Sequence, residues 1–214
     1  MFSIPVIRAV LVPLSFSIGL AVSPPLHAQQ ITMTAPPEVA ALMTACTPVD
    51  VQGPAIRDGL LGRGWLPVSM EDRRNHLAAF GAAHFWSFMP GLPPADREAR
   101  FDYLIDGVEG AASTEGSSFL EFDGEYALLL WNGDSLSCIW AGPQTRAIDT
   151  LAVQLGGFPQ SDGVATAAVD QRVEAGGREW ARRMSVGRTP VSDLPAAVSD
   201  RAITDAARLD RSPL

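Results

Sequence analysis

The chain has 214 residues, 47% of them hydrophobic, and its 24 acidic and 16 basic side chains give a net charge of −8. This length suits a single domain with a sizeable hydrophobic core. The acidic balance argues against a nucleic-acid partner and against binding to anionic membrane surfaces, since both require a basic protein surface.

Residues 1–28 have the layout of a secretory signal peptide. Arg8 supplies a positive charge, residues 9–22 form an apolar run, and Ala28 is the small residue expected at a cleavage point. An uncleaved membrane anchor is the alternative, but the run is shorter than the ~20 residues that a spanning helix needs. Every basic residue is an arginine, as is typical of GC-rich bacterial genomes. We therefore expect a bacterial protein that is periplasmic or secreted, with no transmembrane segment in its mature chain.

An amphipathic helix is predicted after a short polar lead. Pro36 and Pro37 suit its first turn, and Pro48 lies just beyond its end. The apolar residues between them follow the i, i+3, i+4, i+7 spacing of one helix face: Val39, Leu42, Met43 and Cys46.

Further helices and one edge strand are predicted before residue 110. Residues 55–61 form a short helix, and 65–68 form a short strand that Pro67 places at a sheet edge. Ser69 starts a longer helix, and 96–106 form another one that two glycines end. The apolar face of the longer helix comprises Leu77, Phe80, Gly81, His84, Phe85 and Phe88.

The segment 117–141 carries the clearest strand pattern. Its two turn dipeptides, Asp123-Gly124 and Asn132-Gly133, favour type I′ turns, whose positive φ angles suit tight hairpins. They separate three apolar runs that predict an antiparallel meander: 117–122, 125–131 and 135–141. The third strand alternates between a core face and a polar face: Leu136, Cys138 and Trp140 against Ser135 and Ser137.

A helix starting at Pro143 follows the meander. Residues 164–173 fit a strand or a helix, and 180–186 fit a strand that follows a Gly-Gly turn. Residues 189–214 are rich in Pro, Ser, Asp and Ala, so a loosely attached tail is predicted there. The whole pattern predicts one α+β domain over 29–188, in which amphipathic helices cover one face of a small antiparallel sheet.

Cys46 and Cys138 are the two cysteines of the chain, and we predict that they form a disulfide. An exported protein meets the oxidising conditions in which disulfides persist, and both cysteines lie on apolar faces. The bond would clamp the first helix onto the third strand of the meander. Two buried free thiols are one alternative. Lipidation of Cys46 is another, but the lipoprotein-like box at 43–46 lies far from the apolar run.

No strong catalytic or cofactor-binding motif is present. The sequence lacks a phosphate-binding loop, a dinucleotide fingerprint and a G-x-S-x-G elbow, so we expect no cofactor. His76 and His84 would lie ~12 Å apart along one helix, too far to share a metal ion. A paired-carboxylate glycosidase site is conceivable at Glu121, Asp123 and Glu125, but solvated turn residues explain them more simply.

An arginine set is the remaining candidate for binding: Arg172, Arg178, Arg182 and Arg183. If 180–186 is a strand, Arg178 and Arg182 share a face with Trp180, and this trio could hold an anionic or sugar-like ligand. The simpler alternative is a solvated basic face that balances an acidic protein.

These patterns predict a non-catalytic binding or accessory module of the bacterial envelope, with a protein or a small molecule as its partner. A periplasmic hydrolase with its site at the open face of the sheet is one alternative, which a pocket with a convergent Ser/His or carboxylate pair would favour. A secreted interaction or inhibitor domain is another, which an exposed aromatic patch would favour.

Overall fold

An antiparallel sheet forms the centre of the structure, a computed structural model that describes residues 37–157 and 165–214. Its seven strands are β1 (Leu66–Pro67), β2 (Ser117–Phe122), β3 (Glu125–Asn132), β4 (Ser135–Pro143), β5 (Ala165–Ala175), β6 (Arg178–Arg188) and β7 (Ile203–Pro213). They lie in the order β1-β2-β3-β4-β7-β6-β5, and each neighbouring pair is antiparallel. The predicted signal peptide lies outside the described residues.

Helices pack against this sheet, and the predicted α+β class is confirmed. They are α1 (Pro37–Cys46), α2 (Gly53–Leu61), α3 (Arg73–Ala83), α4 (Phe85–Phe88), α5 (Arg97–Ala112) and α6 (Arg146–Gln154). The predicted meander is also confirmed as β2, β3 and β4, with Gly124 and Gly133 at positive φ in its two turns. The second turn consists of Gly133 and Asp134 rather than the predicted Asn132-Gly133, because Asn132 pairs with Ser135 at the end of β3. Within the described ranges, no helix has the length and apolar content needed to cross a membrane.

Helices cover both faces of the sheet, where the sequence predicted cover on one. α1, α2 and α6 pack on the face that carries Cys138, here called the disulfide face, whereas α3 and α5 pack on the face that carries Ser137, the groove face. The reason is that the central strands are apolar on both sides. Leu128 and Ile139 lie on the groove face and Leu129 on the disulfide face, all of them buried. In a strand with one solvated face, apolar residues would alternate with polar ones.

α5 continues to Ala112, beyond the end predicted at residue 106. Gly107 and Gly110 lie inside this helix rather than ending it. Each internal glycine costs roughly 1 kcal/mol of helix propensity. Burial of Val108 and Ala112 continues the apolar stripe of the helix, so tertiary packing outweighs the propensity of the two glycines.

The prediction of a loosely attached tail over 189–214 is wrong. β7 lies between β4 and β6 and pairs with both of them, so the domain extends beyond residue 188. Ala206, Ala207 and Leu209 in this strand are fully buried. Small and charged residues make up most of β7, so its sequence lacks the large apolar side chains that would have indicated a central strand.

The predicted disulfide between Cys46 and Cys138 is present. It joins the last residue of α1 to the third strand of the meander, with the two Cα atoms 6.4 Å apart. Both cysteines are fully buried, which places the bond inside the core between α1 and the sheet.

Candidate functional site

The groove face is covered by helices over only part of its area, and the remainder forms an open groove of about 830 Å³. α3 packs on β7 and β4 and α5 on β2 and β3, whereas the far ends of β4 and β7 and the neighbouring parts of β6 and β5 form the groove floor. Ala111 and Thr114, at the end of α5, line one wall. The lining combines polar side chains with apolar ones, such as Leu130 and Leu214.

A row of four polar residues crosses this floor, one from each strand. Ser137, Asp210, Arg183 and Asp170 occupy directly opposed positions on β4, β7, β6 and β5. Ser137 Oγ donates a hydrogen bond to Asp210 Oδ1, and Arg183 Nη1 lies 2.8 Å from Asp170 Oδ2. Directly opposed residues of an antiparallel sheet share a face, so strand register alone brings these groups together.

Arg208 fixes the end of the groove nearest the helices. Its Nε donates to Asp210 Oδ2 at 2.7 Å, its Nη1 donates to Ser87 Oγ at 3.2 Å, and its guanidinium carbon lies 5.9 Å from the centre of the Phe88 ring. These contacts hold Arg208 between the sheet and α4. This guanidinium is therefore held in one position by the protein itself.

A second cavity of about 380 Å³ adjoins this end and shares Arg183 and Asp210 with the groove. Trp86 forms part of its wall. Gly187 permits that placement, because a Cβ atom at residue 187 would lie 2.4 Å from the Trp86 ring. The polar surface of the sheet thus extends past the helices towards an aromatic wall.

The groove presents positive charge in a protein that is acidic overall. Arg172 and Arg183 are exposed and line the groove, and Arg208 lies behind them at the helix end. On the groove face, two carboxylates stand against these three arginines, those of Asp170 and Asp210. The groove lining also includes Arg182 and Arg211, which occupy positions of the disulfide face. Within one copy of the chain, Arg172 has no ion-pair partner among the described residues, and its side chain is exposed.

The predicted trio of Arg178, Trp180 and Arg182 lies together on the disulfide face, outside the polar row. Arg178 pairs with Asp134 at 2.7 Å and lies over the Trp180 ring, which is 6% exposed. Arg182 donates to Gln171 Oε1 and to the backbone oxygen of residue 47. The trio is therefore engaged in contacts between strands and loops, and its role as a ligand site stays a prediction.

Sequence reasoning missed Ser137, Asp210 and Arg208 as site residues. It treated Arg183 as one of a set, but strand alternation divides that set: Arg172 and Arg183 lie on the groove face, the others on the disulfide face. One signal was available, because Ser135 and Ser137 are polar positions opposite the core face of β4. The other partners of the row come from β5 and β7, and no local pattern shows which strands those two join.

The two described histidines lie outside the groove lining. His84 is fully buried, and its Nε2–H donates to Trp140 O at 2.9 Å; burial lowers its pKa to about 3. His76 Nδ1 lies 2.9 Å from Tyr126 Oη. In the described ranges, no three His, Cys, Asp or Glu side chains are placed to hold a metal ion.

The carboxylates of the glycosidase alternative are separated by the sheet. Glu121 lies opposite Tyr126 on the groove face, next to His76, whereas Glu125 lies on the disulfide face and accepts a hydrogen bond from Trp140 Nε1. Two carboxylates on opposite faces cannot flank one glycosidic bond, so this pairing does not form a site.

Comparisons with protein-family models, with curated proteins and with solved structures find no match for this chain. The functional proposal therefore depends on the geometry of the groove itself: its volume, its arginines and the polar row on its floor.

Proposed function

We propose that this chain is an exported bacterial envelope protein that binds a small anionic ligand in the open groove. Two features support export. The first 28 residues have the pattern of a signal peptide, and the buried disulfide suits an oxidising compartment. The observation that carries the binding proposal is the pair of exposed arginines, Arg172 and Arg183, on the floor of the groove.

The ligand class follows from the arginines and the volume. A guanidinium group offers a planar fork of donors that matches a carboxylate or a phosphate, and such charge-assisted hydrogen bonds are stronger than neutral ones. The groove volume of about 830 Å³ lies within the range of small-molecule sites. Ser137 and Asp210 add hydroxyl and carboxylate groups that suit the hydroxyls of a sugar acid or a sugar phosphate.

A hydrolase is the second candidate, because Ser137 Oγ is hydrogen-bonded to Asp210 in the groove. A serine nucleophile needs a base that can take its proton and donors that stabilise an oxyanion. Asp210 also accepts a hydrogen bond from Arg208, and neither described histidine lines the groove. This arrangement favours binding over hydrolysis.

Binding can be tested by thermal unfolding of the mature protein with inorganic phosphate and with glucuronate as probes. A ligand at 100 times its Kd stabilises a protein by about 2.7 kcal/mol, which for this size raises Tm by about 5 to 10 °C. We expect a shift with at least one probe, and its reduction in Arg172→Gln and in Arg183→Gln. Arg146→Gln is the matched control, since Arg146 is an exposed arginine on α6, away from the groove.

Two outcomes would contradict the binding proposal. One is the absence of any shift with both probes in the wild-type protein. The other is an equal reduction in the control variant Arg146→Gln, which would indicate a non-specific effect of charge. Turnover of a chromogenic ester that is lost in Ser137→Ala would instead favour the hydrolase.

Export has a separate test. We expect protein recovered from the periplasm or the medium to begin close to residue 29, as read from its intact mass. Soluble protein that retains Met1 would refute cleavage, whatever the outcome of the ligand titrations.

A further inference from the structure

The two edges of the sheet differ in a way that points to a partner. β1 has two residues and contains Pro67, so it offers little backbone for pairing. β5 has eleven residues without proline, and within the described part of the chain it pairs with β6 alone. Long edge strands without such protection are templates for pairing with another chain.

The sequence of β5 is self-complementary about its centre. Asp170 and Arg172 flank Gln171, and Val169 and Val173 flank these in turn. When the strand is placed antiparallel to a copy of itself with Gln171 opposite Gln171, each Asp170 lies opposite an Arg172. Each Val169 then lies opposite a Val173. Opposite charges and β-branched residues are favourable cross-strand pairs.

We propose that β5 pairs with β5 of a second copy of this chain, about a two-fold axis at Gln171. In this register residues 167–175 of both copies pair, and the two sheets join into one continuous sheet. Asp170 and Arg172 lie on the groove face, so the grooves of both copies open on the same side. Such an isologous interface uses one surface twice and closes on itself.

Charge selects this register over its neighbours. A shift of the axis to residue 170 places Asp170 opposite Asp170, and a shift to residue 172 places Arg172 opposite Arg172; like charges directly opposite are destabilising. If the two-fold axis lay between two residues instead of on one, each residue of the groove face would lie opposite a residue of the disulfide face. The groove face of one copy would then continue as the disulfide face of the other. An axis at Val173 pairs Arg172 with Glu174, but it leaves only residues 171–175 to pair.

The register predicts where an engineered disulfide forms. In Gln171→Cys the two new thiols face each other on the axis, and opposed residues have Cα atoms about 4.5 to 5.5 Å apart, which suits a disulfide. Glu174→Cys is the matched control on the same strand. Residue 174 lies opposite residue 168 of the second copy. Residue 174 of that copy is six residues further along the strand, so the two introduced cysteines would be roughly 20 Å apart.

We expect a dimer for the full mature protein by light scattering, and a covalent dimer on mild oxidation of Gln171→Cys but not of Glu174→Cys. Arg172→Glu places carboxylates opposite each other twice, so dimerisation should weaken about tenfold or more. A monomeric wild type, or equal cross-linking at the two positions, would overturn the proposal. Gln171 also lines the groove and accepts hydrogen bonds from Arg182, so the cysteine variant is used for cross-linking only. Ligand binding is measured separately, by the thermal shift of Arg183→Gln, which leaves the proposed pairs between Asp170 and Arg172 unchanged.

Discussion

His84 makes the stability of this protein depend on pH in a way that can be measured. It lies at the break between α3 and α4, which the sequence predicted as one helix, and its side chain is fully buried among Phe80, Trp86 and Phe88. Nε2–H donates to the backbone oxygen of Trp140, and Nδ1 has no partner among the described residues. Burial penalises the charged imidazolium and lowers the pKa to about 3, so folded His84 is neutral.

The sign and size of the effect follow from proton linkage. In the unfolded chain the pKa of a histidine is about 6.5, so between that pH and about 3 the unfolded state binds a proton that the folded state does not. The stabilisation from neutral His84 is complete above pH ~6.5 and is lost as the pH falls. The slope is about 1.4 kcal/mol per pH unit, and the full difference corresponds to roughly 5 kcal/mol.

The assay is urea unfolding of the wild type and of His84→Gln at about pH 7.5 and about pH 4.5. Glutamine keeps an N–H donor near the position of Nε2 but does not titrate. Near neutral pH the variant should be the less stable protein, because the imidazole packs between aromatic rings. Between about pH 7.5 and about pH 4.5, the difference in the free energy of unfolding between the two proteins should shrink by about 2.7 kcal/mol. The reason is that the wild type loses stability as unfolded His84 takes up a proton, whereas glutamine does not titrate.

The matched control is Phe119→Leu, because Phe119 is buried and packs against Phe80 in the same cluster, and neither side chain titrates. Its stability difference from the wild type should change much less between the two pH values. A difference between wild type and His84→Gln that stays constant with pH would refute the reasoning, since it would mean that His84 is protonated equally in both states.

Three other changes and one control variant test the fold. Replacing Cys46 and Cys138 with Ser should cost about 4 to 5 kcal/mol in urea unfolding, because the bond closes a loop with a sequence separation of 92; unchanged stability, or two labelled thiols in wild-type periplasmic material, would contradict this. Asp205→Ala should cost about 3 kcal/mol or more, since this fully buried carboxylate accepts hydrogen bonds from an arginine and from the start of α6. The exposed ion-pair variant Asp58→Ala should cost less than about 1 kcal/mol. Deletion of 203–214 should abolish cooperative unfolding, because it removes a central strand; a soluble, cooperatively folded product would contradict the sheet order.

The sequence by itself determined the parts of this protein that depend on short-range rules. Gly124 and Gly133 indicated the two turns of the meander, because positive φ angles are available to glycine at little cost. The apolar stripe of α1 and the alternation of β4 oriented Cys46 and Cys138 towards one core, so their bond was predictable. Pro67 marked an edge strand for a local reason as well, since proline cannot donate to a neighbouring strand.

Only the tertiary structure decided the order of the strands. β7 lies in the middle of the sheet because it pairs with β4, more than sixty residues earlier, and with β6. Most residues of β7 are small or charged. Its small side chains fit between the neighbouring strands β4 and β6, but a run of such residues carries no local strand signal. The polar row depends on this order: Ser137, Asp210, Arg183 and Asp170 are distant in sequence and meet because hydrogen-bond register places opposed residues on one face. Local periodicity tells which side of its own strand a residue occupies, whereas its neighbours across the sheet depend on long-range pairing.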